Sequence, residues 1–268
     1  TLTGTDANHD LFDASRARTM RPVLEGAAAL VVFHESIRER VAGVVPDAAS
    51  RMHVIAQAPD LEGDEPFDLE GRWALPRDRI LFLFSAGIRP VKGPRVPLGP
   101  FDALVTRLPE VRLLYAGPVV DPSEGRALLA ELASRPWSHH AGAVPHTQMR
   151  SLLAQSDVVL NCSRSEGGMS NAVLEALAME RAVLASDIPG NRSLIEDGAT
   201  GLIFRDAHEL GAAAERLARD RTLRARLGAA GAARVAELTS PAREIDGHLH
   251  VYRAVAGEAV APASRRAR

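Results

Sequence analysis

The chain of 268 residues contains a single cysteine, Cys162, so no internal disulfide can staple it, and a reducing compartment is its expected setting. It also has little lysine: of its 32 basic residues only Lys92 is not arginine. No run approaches the ~20 consecutive apolar residues that a membrane-spanning helix needs. A formal net charge of −2 leaves no general electrostatic pull toward nucleic acid, and nucleic acid is not an expected partner. No internal repeat or low-complexity tract occurs. No G-x-G-x-x-G or Walker-type run is present, so neither a dinucleotide fingerprint nor a P-loop can be claimed. The opening Thr1-Leu2-Thr3 has no signal-peptide character and reads as the inside of a strand. The expectation is a cytoplasmic chain that begins partway through a longer protein.

What is present is a globular composition, 46% apolar and 25% charged, in a length that holds one large or two modest domains. Short apolar runs at 29–33, 52–56, 80–85, 112–116, 158–161, 182–185 and 202–204 read as strands. Amphipathic stretches at 124–134, 147–155, 171–179 and 207–219 separate several of them. Continuous apolar strands alternating with helices predict a parallel sheet covered on both faces, hence an α/β, doubly wound fold. Cys162 ends one such run, which predicts core packing for it. The acidic, turn-rich segment Asp60-Leu61-Glu62-Gly63-Asp64-Glu65-Pro66 breaks the pattern and reads as part of a linker over 61–76. The expected order is then residues 1–60, the linker, a main domain at 77–240, a closing helix at 241–260 and a disordered tail at 261–268.

Ligands of open parallel sheets bind beyond the carboxyl ends of the strands, so the residues after each strand carry the chemistry. After the third run comes Ser85-Ala86-Gly87-Ile88-Arg89-Pro90-Val91-Lys92-Gly93. Gly87 and Gly93 allow close backbone approach, and Arg89 with Lys92 places two cations on one loop, suited to a diphosphate. A solvated basic loop is the plain alternative. A chain that otherwise chooses arginine yet keeps a compact ammonium here favours phosphate, because the two cations are not interchangeable.

After the fifth run comes Ser163-Arg164-Ser165-Glu166-Gly167-Gly168-Met169-Ser170-Asn171, leading into a helix. Gly167 and Gly168 leave backbone N–H groups open ahead of a helix start that Ser170 or Asn171 can cap, an arrangement that favours anions. Glu175 lies one turn further, on the Asn171 face, beside the buried stripe of Leu174, Leu177 and Ala178. A favourable placement in the helix dipole explains Glu175 alone, but not Glu166 as well. Paired carboxylates suit vicinal hydroxyls of a ribose or hexose. Cations on one loop and carboxylates on the next describe a nucleotide-sugar site. Ala143-Val144 can offer backbone groups to a base, and Asp187-Ile188-Pro189-Gly190-Asn191 is a turn near the same crevice. His139, His140 and His146 match no familiar metal spacing and read as surface or capping residues.

Gly87-Ile88-Arg89-Pro90-Val91-Lys92-Gly93, Glu166-Gly167-Gly168 with Leu174-Glu175-Ala176-Leu177-Ala178, and Asp197-Gly198-Ala199-Thr200-Gly201-Leu202 together resemble family 4 (group 1) retaining glycosyltransferases. The similarity is strongest to their "glycosyltransferase 1 domain-containing" subgroup and covers roughly 80–237. It implies the GT-B fold: a complete C-terminal Rossmann-like domain, accompanied here by the end of the N-terminal, acceptor-side one. It implies Arg89 and Lys92 on the donor diphosphate, Glu175 on the ribose and Glu166 near the donor sugar, so that Arg89, Lys92 and Glu166 form the catalytic set. Gly87, Ala143, Val144, Gly167, Gly168, Met169, Ser170 and Asn171 complete the donor site. No metal and no cofactor are implied. The partners are a nucleotide-sugar donor and a hydroxyl acceptor, with peripheral membrane contact open to the acceptor-side domain.

The chain departs from the family twice. Seven residues usually separate the paired glutamates, whereas Gly167 to Leu174 counts eight, which weakens the role carried over to Glu166 more than that of Glu175. Where many relatives carry a histidine near Thr3, this chain has none, and His9 is the substitute candidate. Two readings stand beside the transferase: a nucleotide-sugar hydrolase or epimerase, and a binding fragment without activity.

Overall fold

The computed structural model describes residues 1–3, 6–166 and 168–257; for His9 only the backbone is described. Gly4, Thr5, the expected donor-site Gly167, the last residues of the expected closing helix (258–260) and the tail 261–268 lie outside the described residues. The chain forms two compact units, one made of Thr1–Ala58 with the chain from Thr239 onward, the other of Pro59–Leu238.

The first unit holds α1 (Ala14–Gly26), β1 (Leu30–Val32), α2 (Glu35–Ala42) and β2 (Met52–Val54). β1 and β2 pair in parallel, Leu30 opposite Met52, and the Leu2 N–H donates to the Val31 carbonyl at 2.9 Å. Leu2, Leu24, Val32, Ile37, Val41 and Met52 are among the buried side chains of its core. The last helix of the chain, Pro241–Ala256, belongs to this unit; its Glu244 accepts from the Ala58 N–H at 2.7 Å.

The second unit runs through α3 (Leu69–Arg72), β3 (Ile80–Ser85), α4 (Leu98–Val105), β4 (Val111–Ala116), α5 (Pro122–Leu132), β5 (Ser138–His140), α6 (His146–Ala154), β6 (Val158–Asn161), α7 (Asn171–Ala178), β7 (Ala182–Ser186), α8 (Pro189–Arg192), β8 (Leu202–Phe204), α9 (Ala207–Arg219) and α10 (Arg221–Leu238). All six strands are parallel, in the order β5-β4-β3-β6-β7-β8. This is the doubly wound arrangement expected from the apolar runs. β3 is the central strand from which the chain first winds one way to β4 and β5, then crosses to β6 and winds the other way. The β3–β6 junction is therefore the topological switch point, where such sheets bind ligands.

The central position of β3 explains its sequence. Leu81, Phe82, Leu83 and Phe84 are each no more than 1% exposed, because helices cover both faces and no position faces water. Phe82 meets Phe101 of α4 edge-to-face at 5.0 Å. β5 was not among the expected strands; its Ser138-His139-His140 has no apolar run, and it forms at the sheet edge by pairing with β4.

The segment expected as a linker is instead laid along α6 within the second unit. The Glu65 N–H donates to the Thr147 carbonyl at 3.1 Å, and the Phe67 N–H to Ser151 Oγ at 3.0 Å. Gln155 Nε2 donates to the Phe67 carbonyl at 2.9 Å. Phe67 itself is buried. A flexible linker has no such partners, so residues 60–67 are a strap.

Candidate functional site

The loop after β3 is fixed from below. Ile88 is fully buried, and its N–H donates to the Pro118 carbonyl at 2.8 Å. A single 3-10 turn, Pro90–Lys92, follows and closes on Gly93, whose φ of +61° is left-handed. A Cβ at Gly93 would stand 2.4 Å from the Cys162 carbonyl oxygen, so glycine is what lets this turn touch the end of β6. Tyr115 of β4, fully buried, donates its hydroxyl to the Pro94 carbonyl at 2.8 Å, and burial raises its pKa well above the usual value. The Arg164 N–H donates to the Val91 carbonyl at 2.8 Å, tying the two strand-end loops together.

These contacts bring Lys92 to Glu166. The Lys92 ammonium donates to both carboxylate oxygens, at 2.6 and 2.7 Å, with side chains only 16% and 10% exposed. Glu166 Oε1 also accepts from Ser163 Oγ at 2.6 Å and from Asn161 Nδ2 at 3.4 Å. A second rank holds those donors. Asn161 Nδ2 donates to Ser170 Oγ at 3.0 Å, and Asn161 Oδ1 accepts from the Ser163 N–H at 3.0 Å and from Asn191 Nδ2 at 3.3 Å. Asn191 is 0% exposed and also donates to the Ser186 carbonyl at 2.9 Å. The turn read as merely lying near the crevice thus braces Glu166. At Gly190 a Cβ would be 2.3 Å from the Gly168 carbonyl oxygen and 2.7 Å from Glu166 Cβ. The carboxylate expected near the donor sugar is engaged with its own protein, above all with Lys92. Arg89 is half-buried; its carbonyl accepts from the Lys92 N–H at 3.0 Å, and its side chain makes no hydrogen bond or ion pair among the described residues.

α7 carries the second carboxylate. Ser170 is its N-cap, yet makes no capping bond from its side chain, because its hydroxyl serves Asn161; Asn171 is exposed. Gly168 has a left-handed φ of +131° and Met169 is buried. Glu175 lies inside the buried stretch Val173 to Leu177 rather than beside it, at 9% exposure. It makes no side-chain hydrogen bond among the described residues. Burial pushes its pKa up to about 7; His146 pulls the value down and Asp60 adds to the rise.

Glu175 faces a cavity of about 200 Å³ at the ends of β3 and β4, lined by Ser85, Ala86, Gly87, Ala116, Gly117, Val144, His146 and Met149. Gly87 and Val144 line this cavity; Ala143 is exposed and is not part of the lining. His146 and Met149 were missed. Both sit on α6 just after Val144-Pro145, and helix spacing from a strand-end loop is the signal that could have found them. Of the other histidines, His139 stacks on Trp73 at 5.3 Å with its pKa lowered by burial, and His140 Nε2 lies 3.0 Å from the Gly117 carbonyl oxygen. Among the described residues no group of three or more His, Cys, Asp or Glu is placed to hold a metal, and no helix is long and apolar enough to cross a membrane.

Six parallel strands that wind both ways from β3 mark the second unit as a Rossmann-like α/β domain. The chain belongs to the family described as glycosyl transferases group 1, whose model matches residues 78–220. It is 32% identical over 230 residues to glycosyltransferase 1 domain-containing protein 1 of Xenopus tropicalis, covering 84% of this chain and 66% of that protein. It is 27% identical over 216 residues to the alpha-D-kanosaminyltransferase of Streptomyces kanamyceticus, covering 77% and 55%. The chain spans about half to two thirds of the length of such curated relatives. Among solved structures, HepE of Anabaena in complex with UDP and glucose superposes with a TM-score of 0.78 at 16% identity, covering 92% of this chain and 68% of that one. Sucrose-phosphate synthase of Thermosynechococcus elongatus gives 0.75 at 21%, covering 94% and 64%. The fold is that of GT-B glycosyltransferases.

Proposed function

We propose that the protein moves a sugar from a nucleoside-diphosphate sugar to a hydroxyl acceptor, with retention at the anomeric carbon. The observation that carries this reading is the convergence, within one unit, of Arg89, Lys92 and Glu166 at the switch point beside the Glu175 cavity. The Arg89 side chain has no partner to give up among the described residues, and Lys92 stands at the same turn. Together they meet the diphosphate and stabilise the charge that builds on it as the bond to the anomeric carbon breaks. The electron pair of that bond leaves with the diphosphate, the acceptor oxygen bonds to the anomeric carbon on the same face, and the acceptor's hydroxyl proton passes to the departing diphosphate oxygen. Gly168, Met169 and Ser170 present the start of α7 to the anion. Glu175 accepts from the vicinal hydroxyls of the ribose, and the Val144 backbone serves the base. The two cations supply the charge a divalent ion would, so neither metal nor cofactor enters. Retention rests on family membership; the kanosaminyltransferase among the relatives and the UDP-bound neighbour support the sugar transfer and the donor class.

Lys92→Ala should lower turnover of the accepted UDP-, GDP- or ADP-sugar by about a hundredfold or more, with circular dichroism unchanged. Wild-type-like turnover would overturn the assignment. A second reading, nucleotide-sugar binding without transfer, is favoured by one fact: all four charged residues lie in a single unit. Product analysis with and without candidate acceptors, on protein shown to bind the donor, separates the two and also exposes a hydrolase.

A further inference from the structure

The strap and the cavity meet at His146. The ring's Nε2 lies 3.0 Å from the Asp60 backbone carbonyl oxygen and 3.4 Å from Asp60 Oδ2. An N–H must point at that carbonyl, so Nε2 carries the proton and Nδ1 is the remaining acceptor of the neutral ring. Asp60 is not a loose partner, because the strap is fastened along α6. Glu65 and Phe67 donate into the helix, and Asp64 pairs with Arg150 at 3.4 Å. Gly63, at φ +100°, comes so close that a Cβ would stand 2.5 Å from Thr147 Cα. His146 is nevertheless 46% exposed at its side chain and lines the same cavity as Glu175. A residue kept only to cap α6 has no reason to be held by the strap and turned to the cavity at once.

We propose that His146, oriented by Asp60, is a positioning residue for the nucleoside part of the donor, sharing the cavity with Glu175 and favouring nucleosides that can hydrogen-bond to its ring. This rests on the reading that the cavity takes the nucleoside of a nucleoside-diphosphate sugar. The strap thereby becomes part of the binding site.

Calorimetric titration of the chain with UDP, GDP, ADP and inorganic pyrophosphate tests it. His146→Ala should weaken the preferred nucleoside diphosphate about fivefold to tenfold, the weight of one well-placed hydrogen bond, and leave pyrophosphate affinity unchanged. His146→Gln should recover part of the loss. Asp60→Ala, which keeps the backbone carbonyl, should cost about twofold. If wild type binds a nucleotide and His146→Ala binds it equally well, the inference fails while the donor reading stands. Loss of pyrophosphate binding along with the nucleotide would also overturn it, since that is general damage and not positioning. Wild type that binds none of the three nucleotides would bring down the donor reading itself.

Discussion

Two glutamates in the same unit occupy opposite situations. Glu166 is surrounded by donors: Lys92 on both oxygens, Ser163 and Asn161 on one, with Asn191 and Ser186 behind them. Glu175 has no hydrogen-bond donor among the described residues and lies in a cavity wall at 9% exposure. A buried carboxylate that is paired and hydrogen-bonded has the cost of its burial offset by its partners, whereas one without partners is penalised by its desolvation. The Glu166 corner is thus built before any ligand arrives. The Glu175 wall is left without such partners, and the carboxylate there carries the cost of its burial. Proteins tolerate such a cost where function requires it.

The contrast can be broken by stability measurements. The Glu175 pKa of about 7 lies above the ordinary carboxylate value of 4.5, so between those two pH values the folded chain keeps a proton that the unfolded chain has lost. Stability therefore falls as pH rises through that window, and the deficit is complete above pH 7. Glu175→Gln removes the charge while keeping the shape. It should raise unfolding free energy at pH 8 by about 3 kcal/mol, change it little near pH 4, and weaken UDP binding. Denaturant titration at the two pH values and calorimetry decide it; equal effects at both pH values would show that the charge is not the cause.

Glu166→Ala should act in the opposite sense, losing about 2 kcal/mol because the Lys92 ammonium, at 16% exposure, is left without its carboxylate. The same denaturant titration reads it. Stabilisation by both substitutions would erase the distinction between a built corner and an unfinished wall. The smallest effect tests the charge supply: with Arg89 and Lys92 in place, EDTA treatment should leave turnover unchanged within error. A loss restored by added divalent ion would show that the two cations do not suffice.

Much of the second unit was readable in advance. β3, β6, β7 and β8 follow apolar runs to within a residue, because strands buried on both faces have no polar positions to blur the pattern. β5 carried no such run, and the edge of the sheet asks for none. Arg89, Lys92, Glu166 and Glu175 were recognisable from residue type and placement after strands. Their states were not. Glu166 was read as a carboxylate suited to sugar hydroxyls, and the protein partners it has come from 3, 5 and 74 residues away. Glu175 was read as flanking the crevice rather than the core; it lines the cavity, yet it is counted among the buried residues of α7. The acidic segment from Asp60 read as a linker, since composition reports turns and charge but not the helix that receives them.

By itself, the sequence determined the alternation of strands and helices, the strand-end location of the chemistry and the cations suited to phosphate. These follow from local patterning: apolar periodicity, glycine placement and side-chain charge. Only the tertiary structure decided that Lys92 is paired before any ligand arrives, that Glu175 is not, and that Asp60 and His146 belong beside the cavity. Burial and pairing depend on groups far apart in the chain, and the cost of a charge is set by what surrounds it.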